Sequence, residues 1–338
     1  MSHALRLAAY QAVSTRLALL SDRQIIDLVN AATPHGAGIG GRSAELEVDG
    51  RQVFVKRVPL TDLETRPEHL RSTANLFDLP TFYQYGIGSA GFGAWRELAT
   101  HTMTTNWVLG DIYDGFPLMY HWRVVPDSPP VGFADEFGGV EGAVEHWEGS
   151  PAVRERLEAI GRSSLSLVLF LEHIPQTLAA WLRDHQDGDT YAWAERALAR
   201  GTAFMSANGL VHFDAHFHNV LTDGHRIYFA DFGLALSSRF DLSAGEATFL
   251  SDHLAYDQHY TAAHLLRYHL PGGAHDQAFL RDWIAGDTRP AHVPSALAAI
   301  IDRHARTALV MNDFHQRLIT ETKHTPYPVG ELKRAAEQ

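Results

Sequence analysis

The spacing of apolar residues changes partway along this chain, and this change limits the folds that the chain can adopt. The runs AELEV (44–48) and QVFVKRV (52–58) alternate apolar and polar residues with the two-residue period of a β-strand. Asp49-Gly50 between them favours a tight type I′ turn, so the two runs predict a β-hairpin. From Ala244 onward the apolar residues recur at helical spacing. Strands followed by helices predict an α+β fold.

Other segments fill in this outline. The pattern from Ala8 to Val29 is helical, with a fresh N-cap at Ser21, and the glycines of HGAGIGG (35–41) stop it. Further helices are predicted at AWRELATHTMTTNWVL (94–109), QTLAAWLRDH (176–185) and YAWAERALARGTAFMSANG (191–209). Strands are predicted at FPLMYHWRVV (116–125), SLSLVLFLEHI (164–174), LVHFD (210–214) and RIYFADFG (226–233).

These elements suggest a division into three parts. Residues 1–35 form an N-terminal helical extension, residues 36–172 a strand-rich region, and residues 173–338 a helical region. The boundary is placed where the chain leaves the buried strand after Leu171. Two stretches rich in glycine and proline, at about 61–92 and 126–160, are predicted to be insertions. For the first stretch, a lid is the alternative interpretation.

Composition excludes several classes of function. The chain has no cysteine, so disulfides, cysteine–zinc sites and thiol nucleophiles are excluded, and a reducing compartment fits. A net charge of −12 disfavours nucleic acid and anionic membranes as partners. The longest apolar stretch, Leu165–Leu171, is far shorter than a membrane span, and the N-terminal segment lacks the shape of a secretory signal. A cytoplasmic location is predicted.

The segment LVHFDAHFHNVL (210–221) concentrates polar side chains in an apolar frame. His212, Asp214, His216 and His218 could supply nitrogen and oxygen ligands to a metal such as iron or zinc. The same residues could form a phosphotransfer loop or an ordinary structural turn. This segment alone leaves all three interpretations open.

A second motif favours phosphoryl transfer. Asp231-Phe232-Gly233 ends an apolar strand twelve residues after Asn219. Phosphoryl transfer needs one carboxylate beside the attacking hydroxyl, and an asparagine and a second carboxylate to hold magnesium on the nucleotide phosphates. Asp214, Asn219 and Asp231 supply these three groups.

Together the two motifs resemble those of the protein-kinase-like superfamily. H-F-D-A-H-F-H-N is similar to its catalytic loop and A-D-F-G to its magnesium motif. The resemblance implies a bilobal fold, with a small antiparallel-sheet N-lobe and a larger, mainly helical C-lobe, and ATP and Mg²⁺ as cofactors. It extends by motif from about Gly36 to Leu236, whereas the last hundred residues match only as a helical lobe.

The resemblance also implies a nucleotide site in the first half of the chain. Lys56, in mid-strand and fifteen residues beyond Gly41, would bind the α- and β-phosphates, with Glu97 as its partner. Two registers of the glycine-rich segment remain open. One uses the G-x-G-x-x-G pattern; the other is the Gly-Gly-x-Ser hairpin of aminoglycoside and choline kinase-like enzymes. The candidate residues are Gly36, Gly38, Gly40, Gly41 and Ser43. Backbone groups of Glu172 to Ile174 would bind adenine.

The chain departs from protein kinases at two positions of the catalytic loop. Phe213 stands where protein kinases usually carry arginine, so a phosphorylated activation segment would lack its receptor, although Ser237, Ser238, Thr248 and Ser251 follow in the chain. His216 stands at the place of a lysine and resembles the histidine of aminoglycoside-type enzymes, where it would stabilise the transferring group. No Ala-Pro-Glu follows Gly233. These features favour a small-molecule acceptor over a polypeptide.

The sequence thus predicts a kinase that transfers the γ-phosphoryl group of ATP to a hydroxyl of an acceptor, with Asp214 as proton acceptor. A cationic small molecule suits the acidic chain, although the charge equally serves solubility. A serine/threonine protein kinase is the first alternative. A nucleotide-binding pseudokinase and a His/Asp metal oxygenase are the others.

Overall fold

The computed structural model describes residues 2–38, 41–269, 277–286 and 293–337, and over these residues the chain is an α+β protein. The helices are α1 (His3–Ala18), α2 (Asp22–Asn30), α3 (Ala94–Leu109), α4 (Val140–His146), α5 (Pro151–Gly161), α6 (Leu178–Asp184), α7 (Gly188–Ala207), α8 (Ala244–His253), α9 (Tyr256–Tyr268), α10 (Gln277–Ala285), α11 (Ser295–Thr320) and α12 (Val329–Ala336). The strands are β1 (Thr33–Gly38), β2 (Gly41–Val48), β3 (Arg51–Leu60), β4 (Met119–Pro126), β5 (Leu165–Glu172), β6 (Gln176–Thr177), β7 (Leu210–Val211), β8 (Val220–Thr222), β9 (Ile227–Phe229) and β10 (Leu236–Ser237).

The chain divides into two compact units. The first contains Met1–Ile174 together with two later pieces, Asp231–Ala235 and Arg239–Ala244. The second contains Pro175–Ala230, Leu236–Ser238 and Gly245–Gln338. We call the two later pieces of the first unit the Asp231 segment. The stretch that follows β9 therefore contributes residues to both units in turn.

An antiparallel sheet with the order β1-β2-β3-β5-β4 forms the centre of the first unit. The hairpin predicted at Asp49-Gly50 is confirmed, since Val48 pairs with Arg51 across a two-residue loop. Both loop residues have positive φ, 49° and 76°, as a type I′ turn requires. The glycine-rich segment contributes a strand that the sequence did not predict, because β1 pairs with β2.

One face of this sheet packs against α3. Leu167, Leu169 and Leu171 of β5 point to the same side, and they form one apolar cluster with Trp95 and Leu98 of the helix. All five side chains are buried. Burial of each contributes roughly 1.5–3 kcal/mol relative to exposure, so β5 and α3 are held firmly at the positions from which other side chains of the unit project.

The N-terminal helices are tied to the same sheet. Ser21 is the N-cap of α2, as predicted, and it forms a full capping box with Gln24. Arg123 of β4 contacts Asp22 at 2.5 Å. Arg6 of α1 makes a deeper connection. Its guanidinium is buried and donates two hydrogen bonds to the Glu172 carboxylate, at 2.9 and 2.6 Å, and others to the carbonyl oxygens of Asp114 and Phe116.

The two stretches predicted to be insertions fold together, and we call residues 61–92 and 126–160 the insert subdomain. Its second stretch contains helices α4 and α5, which the sequence did not predict because glycines and prolines interrupt the apolar pattern. Ser150 caps α5, and Pro151 occupies its first turn. Side chains from both stretches share one apolar core, made of Phe77, Leu79, Tyr83, Phe92, Ala134, Ala143, Val144, Trp147, Val153 and Leu157.

Helices dominate the second unit, as the apolar spacing after Ala244 predicts. The long helix α11 packs against α7, α9, α10 and α12. The unit also contains two small sheets, β6-β8-β9 and β10-β7, and the segment between β7 and β8 runs from one sheet to the other. None of the helices in the described part of the chain is both long and apolar enough to span a membrane.

We expect Arg6→Met to lower the free energy of unfolding by about 3–5 kcal/mol. The substitution leaves the Glu172 carboxylate buried without its cation, which costs far more than the lost contact alone. Equilibrium unfolding in urea, followed by tryptophan fluorescence, measures the change.

Arg123→Met is the matched control, because it also removes an arginine that ties an N-terminal helix to the sheet. Its partner Asp22 is 71% exposed, so we expect a loss of at most about 1 kcal/mol. Equal effects of the two substitutions would show that the Arg6 pair is not the main attachment of α1.

Candidate functional site

Three charged side chains meet in the first unit. Lys56 lies in mid-strand on β3, and its Nζ is 2.7 Å from Glu97 Oε1 and 2.7 Å from Asp231 Oδ1. Glu97 projects from the first turn of α3, and Asp231 begins the Asp231 segment. The structure therefore brings together three of the residues that the sequence singled out, from positions up to 175 residues apart.

Burial and charge together set the protonation of this trio. Burial alone would lower the pKa of Lys56, but the carboxylates of Asp231 and Glu97 more than offset it and raise that pKa above its usual value. Burial also raises the pKa of Glu97, to about 6, although the Lys56 ammonium opposes this. The Asp231 side chain is 44% exposed. Asp231 is thus the member of the trio that an incoming ligand can reach.

The local backbone presents Asp231 in an unusual conformation. Asp231 has a φ of 61°, in the left-handed region that few residues other than glycine, asparagine and aspartate adopt. Phe232 anchors the next position, because its ring is fully buried and lies edge-on to His101 at 5.0 Å. The left-handed residue Asp231 is therefore followed at once by a buried anchor, while its own carboxylate is half-exposed.

In the second unit, Asp214 and Asn219 are joined by hydrogen bonds. The Asn219 amide nitrogen donates to the Asp214 carboxylate at 3.0 Å and to its backbone oxygen at 3.1 Å. His216 Nε2 is 3.7 Å from the same carboxylate, and its Nδ1 accepts from the backbone of His218. The segment between β7 and β8 thus gathers the three predicted catalytic residues around one carboxylate.

Asp257 of α9 holds this loop in place, and sequence reasoning missed it. Its two carboxylate oxygens accept hydrogen bonds from the backbone N–H groups of His212 (2.6 Å) and Phe213 (3.0 Å). Phe213 has a φ of 62° and a fully buried ring stacked on Phe249. Burial raises the pKa of Asp257 to about 7 against the opposing effect of the two N–H donors. The signal available in the sequence was an acid, Asp257, placed among aromatic residues in a segment with helical spacing.

The ring of His212 has no nitrogen left for a metal. Its Nδ1 accepts from the backbone N–H of Asp214 at 3.3 Å, and its Nε2 donates to the Ala230 oxygen at 2.8 Å. These bonds fix a neutral tautomer. Within the residues that the structure describes, no three histidine or acidic side chains are arranged to hold a metal. The interpretation of this segment as a His/Asp metal site therefore loses His212 as a ligand.

Magnesium makes different demands, and the donors present fit them. Mg²⁺ prefers oxygen ligands and is commonly held by one or two protein groups together with substrate phosphates. Asp231 offers a half-exposed carboxylate. The Asn219 amide donates through its nitrogen, and its Oδ1 is an oxygen of the kind that Mg²⁺ prefers. Each residue suits the role that the sequence suggested for it.

The glycine-rich segment lies on the edge strand β1 and on its neighbour β2. Gly36 pairs with Ser43 and Gly38 with Gly41, whereas Gly40 lies outside the described residues. Ser43 also pairs with Lys56 across β2 and β3. Gly41 has a packing reason to be glycine, because its φ is 130° and an added Cβ would come within 2.4 Å of the Arg57 backbone oxygen.

The predicted adenine-binding residues stand at the end of β5. The Glu172 N–H donates to the Leu118 oxygen at 2.7 Å, and the Glu172 carboxylate binds Arg6. Ile174 is the last residue of the first unit before the chain enters the second. The role of the Glu172 side chain in holding α1 had no sequence signal, because its partner is 166 residues away.

Comparison with known proteins adds no assignment. No protein-family model matches the chain. No curated protein has a sequence that matches it either.

We expect Asp257→Asn to lower the free energy of unfolding by about 1–3 kcal/mol, because an amide nitrogen would then face one of the two buried N–H groups that need an acceptor. Amide hydrogen exchange at residues 212 and 213 should become faster in the same variant. Urea unfolding and exchange mass spectrometry measure the two effects.

Asp252→Asn, with the same chemical change at an exposed position of α8, is the control.

The stability of the wild type should also show a pH dependence that the stability of Asp257→Asn lacks. Because folding raises the pKa of Asp257, protonation of its carboxyl group stabilises the folded state. This stabilisation is complete below the unfolded pKa of 3.8 and is lost as the pH rises through the folded pKa of about 7. Unchanged stability and exchange in Asp257→Asn would mean that this carboxylate does not hold the loop.

Proposed function

We propose that this protein is an ATP- and magnesium-dependent kinase that transfers the γ-phosphoryl group to a hydroxyl of a small molecule. The observation that carries the proposal is the buried Lys56 ammonium, held between Glu97 and the half-exposed Asp231. A lysine that stays charged in a buried position and faces an accessible carboxylate is suited to binding a metal–phosphate group.

In this proposal the first unit binds the nucleotide. Lys56, fixed by Glu97, contacts the α- and β-phosphates, and the β1–β2 glycine-rich segment with Ser43 lies over them. Backbone groups near Glu172 and Ile174 bind adenine. Asp231 would hold Mg²⁺, and Asn219 is the second ligand that the sequence motifs suggest. When bound, the ion neutralises the charge that develops on the phosphates.

The second unit then supplies the acceptor chemistry. The Asp214 carboxylate, oriented by the Asn219 amide, accepts the proton of the acceptor hydroxyl. The hydroxyl oxygen forms a bond to the γ-phosphorus as the bond to the β-phosphate oxygen breaks, and ADP leaves. His216 beside Asp214 stabilises the transferring group.

We further propose that the two units are the lobes of a bilobal, protein-kinase-like fold and that the protein is cytoplasmic. The antiparallel sheet with α3 supports the assignment of the first unit as the small lobe, and the helices α7 to α12 support the second as the large lobe.

The surroundings of Phe213 favour a small-molecule acceptor. The ring is buried and packs against Phe249, His253 and Tyr256, so this position offers no cation to a phosphorylated segment. A kinase without that receptor lacks the usual switch of protein kinases, which suits an enzyme controlled by its substrate. A serine/threonine protein kinase remains the alternative that an acceptor assay must address.

Two isosteric substitutions should separate the roles of the carboxylates. We expect Asp231→Asn to abolish magnesium-dependent turnover, because it removes the charge of a metal ligand. Asp214→Asn should keep ATP binding near that of the wild type and slow phosphoryl transfer by about 10²–10⁴-fold. Calorimetry with Mg²⁺ and a non-hydrolysable ATP analogue measures binding, and release of ADP measures turnover.

Asp184→Asn, which alters an exposed acid of α6, controls for the charge change. Full turnover in Asp231→Asn with an unchanged requirement for magnesium would contradict the assignment of Asp231. Loss of ATP binding in Asp214→Asn would move that residue to the nucleotide site. Nucleotide binding by the wild type without transfer to any acceptor would indicate a pseudokinase.

The acceptor class can be tested directly. The protein is incubated with γ-labelled ATP and either a metabolite extract or a protein extract, with Asp214→Asn as the blank. We expect the label to enter the metabolite fraction. Label that enters only the protein fraction would replace the small-molecule proposal with a protein kinase.

A further inference from the structure

The insert subdomain holds the Asp231 segment by direct contacts. The Gln84 side-chain amide donates a hydrogen bond to the backbone oxygen of Leu234, three residues after Asp231. Gln84 is 2% exposed, so water does not compete for this bond. A buried side chain of the insert subdomain is thus committed to the backbone of this segment.

A second contact joins the two backbones without side chains. Gly91 has a φ of 73°, and a Cβ added to it would come within 2.5 Å of the Gly233 oxygen. Arg156 of α5 donates to the oxygen of Gly91 at 3.4 Å and so supports the approach from the other side. The chain at Gly91 can approach the Gly233 oxygen this closely because Gly91 carries no side chain.

A third contact lies at the far end of the segment. The hydroxyl of Thr73 accepts a hydrogen bond from the Asp241 N–H at 2.9 Å, while the Thr73 backbone oxygen accepts one from Arg96 Nε at 2.8 Å. The Arg96 guanidinium also lies over the ring of Phe240 at 5.5 Å. Thr73 therefore connects α3 with the segment through one residue.

The insert subdomain is rigid enough to position what it touches. Its apolar core contains buried Tyr83 and Trp147, whose ring centroids are 4.6 Å apart. The Arg156 guanidinium and the Glu64 carboxylate form an ion pair at 2.9 Å, and each is 2% exposed. Glu64 also accepts the N–H of Ala94 at 2.7 Å and so caps the N-terminus of α3.

We propose that Gln84 and Thr73 are positioning residues for Asp231, and that the insert subdomain does by permanent contacts what a phosphorylated segment does in switchable kinases. The inference rests on the proposed function in taking Asp231 as a magnesium ligand. It adds that the insert subdomain fixes the carboxylate before the metal arrives, so that the enzyme is constitutively competent.

The test uses Gln84→Met, which keeps the length of the side chain and removes its donor, and Thr73→Val, which removes the acceptor for Asp241. Arg154→Ala is the control, because Arg154 belongs to the same subdomain but its side chain pairs with the exposed Glu141 and not with the Asp231 segment. Circular dichroism and thermal unfolding establish that each protein is folded. Thr73 is only partly buried, so its variant keeps the test open if Gln84→Met does not fold.

Two measurements are made on each folded protein. Amide exchange in peptides covering residues 231–244, without nucleotide, should be on the order of 10-fold faster in both variants than in the wild type and the control. The magnesium concentration for half-maximal turnover should rise several-fold, while the KM for the acceptor stays unchanged.

The outcomes separate the inference from the proposed function. Unchanged amide exchange in both folded variants would overturn the inference that the insert subdomain holds the Asp231 segment, whatever the activity. Faster exchange with an unchanged magnesium requirement would overturn the positioning role. A wild-type protein that never turns over ATP would contradict the proposed function, and exchange alone would then decide whether the insert subdomain holds the segment.

Discussion

The first unit depends on one buried cation. A lysine ammonium in a protein interior is costly unless carboxylates surround it, and Lys56 has two within 2.7 Å. This requirement constrains three parts of the chain at once: β3, which carries the lysine; α3, which carries Glu97; and the Asp231 segment. The packing of α3 against β5 and the contacts of the insert subdomain keep all three parts at the distances that the ammonium needs.

The second unit solves a related problem with the buried carboxyl group of Asp257. The left-handed backbone of Phe213 is unfavourable for a bulky side chain, and the Asp257 carboxylate stabilises it by accepting two consecutive N–H groups. The loop that follows can then hold Asp214 and Asn219 together. In both units a polar side chain that is buried, and so cannot move freely, fixes a neighbour that remains partly exposed.

Much of this arrangement could be predicted from the sequence, because it rests on local patterns. Alternation and Asp49-Gly50 located the hairpin, and helical spacing predicted α3 and α7. The two motifs singled out Asp214 and Asp231, and the resemblance that they carry singled out Lys56. The strand β1 was missed because its glycines carry no apolar pattern. Asp257 and Arg6 were missed because each acts on residues distant in the chain, where spacing gives no signal. Helices α4 and α5 were hidden by the glycines and prolines around them.

Glu64 joins the insert subdomain to the helix that carries Glu97. Its carboxylate caps α3 through Ala94 and at the same time neutralises buried Arg156. A swing of α3 away from the sheet would break this cap and would separate Glu97 from the buried Lys56 ammonium, and loss of one partner of a buried ion pair costs about 3–5 kcal/mol. At about 1.4 kcal/mol per factor of ten, such a displaced state would make up less than about 1% of the molecules. Control of this unit by rotation of α3 is therefore energetically unfavourable.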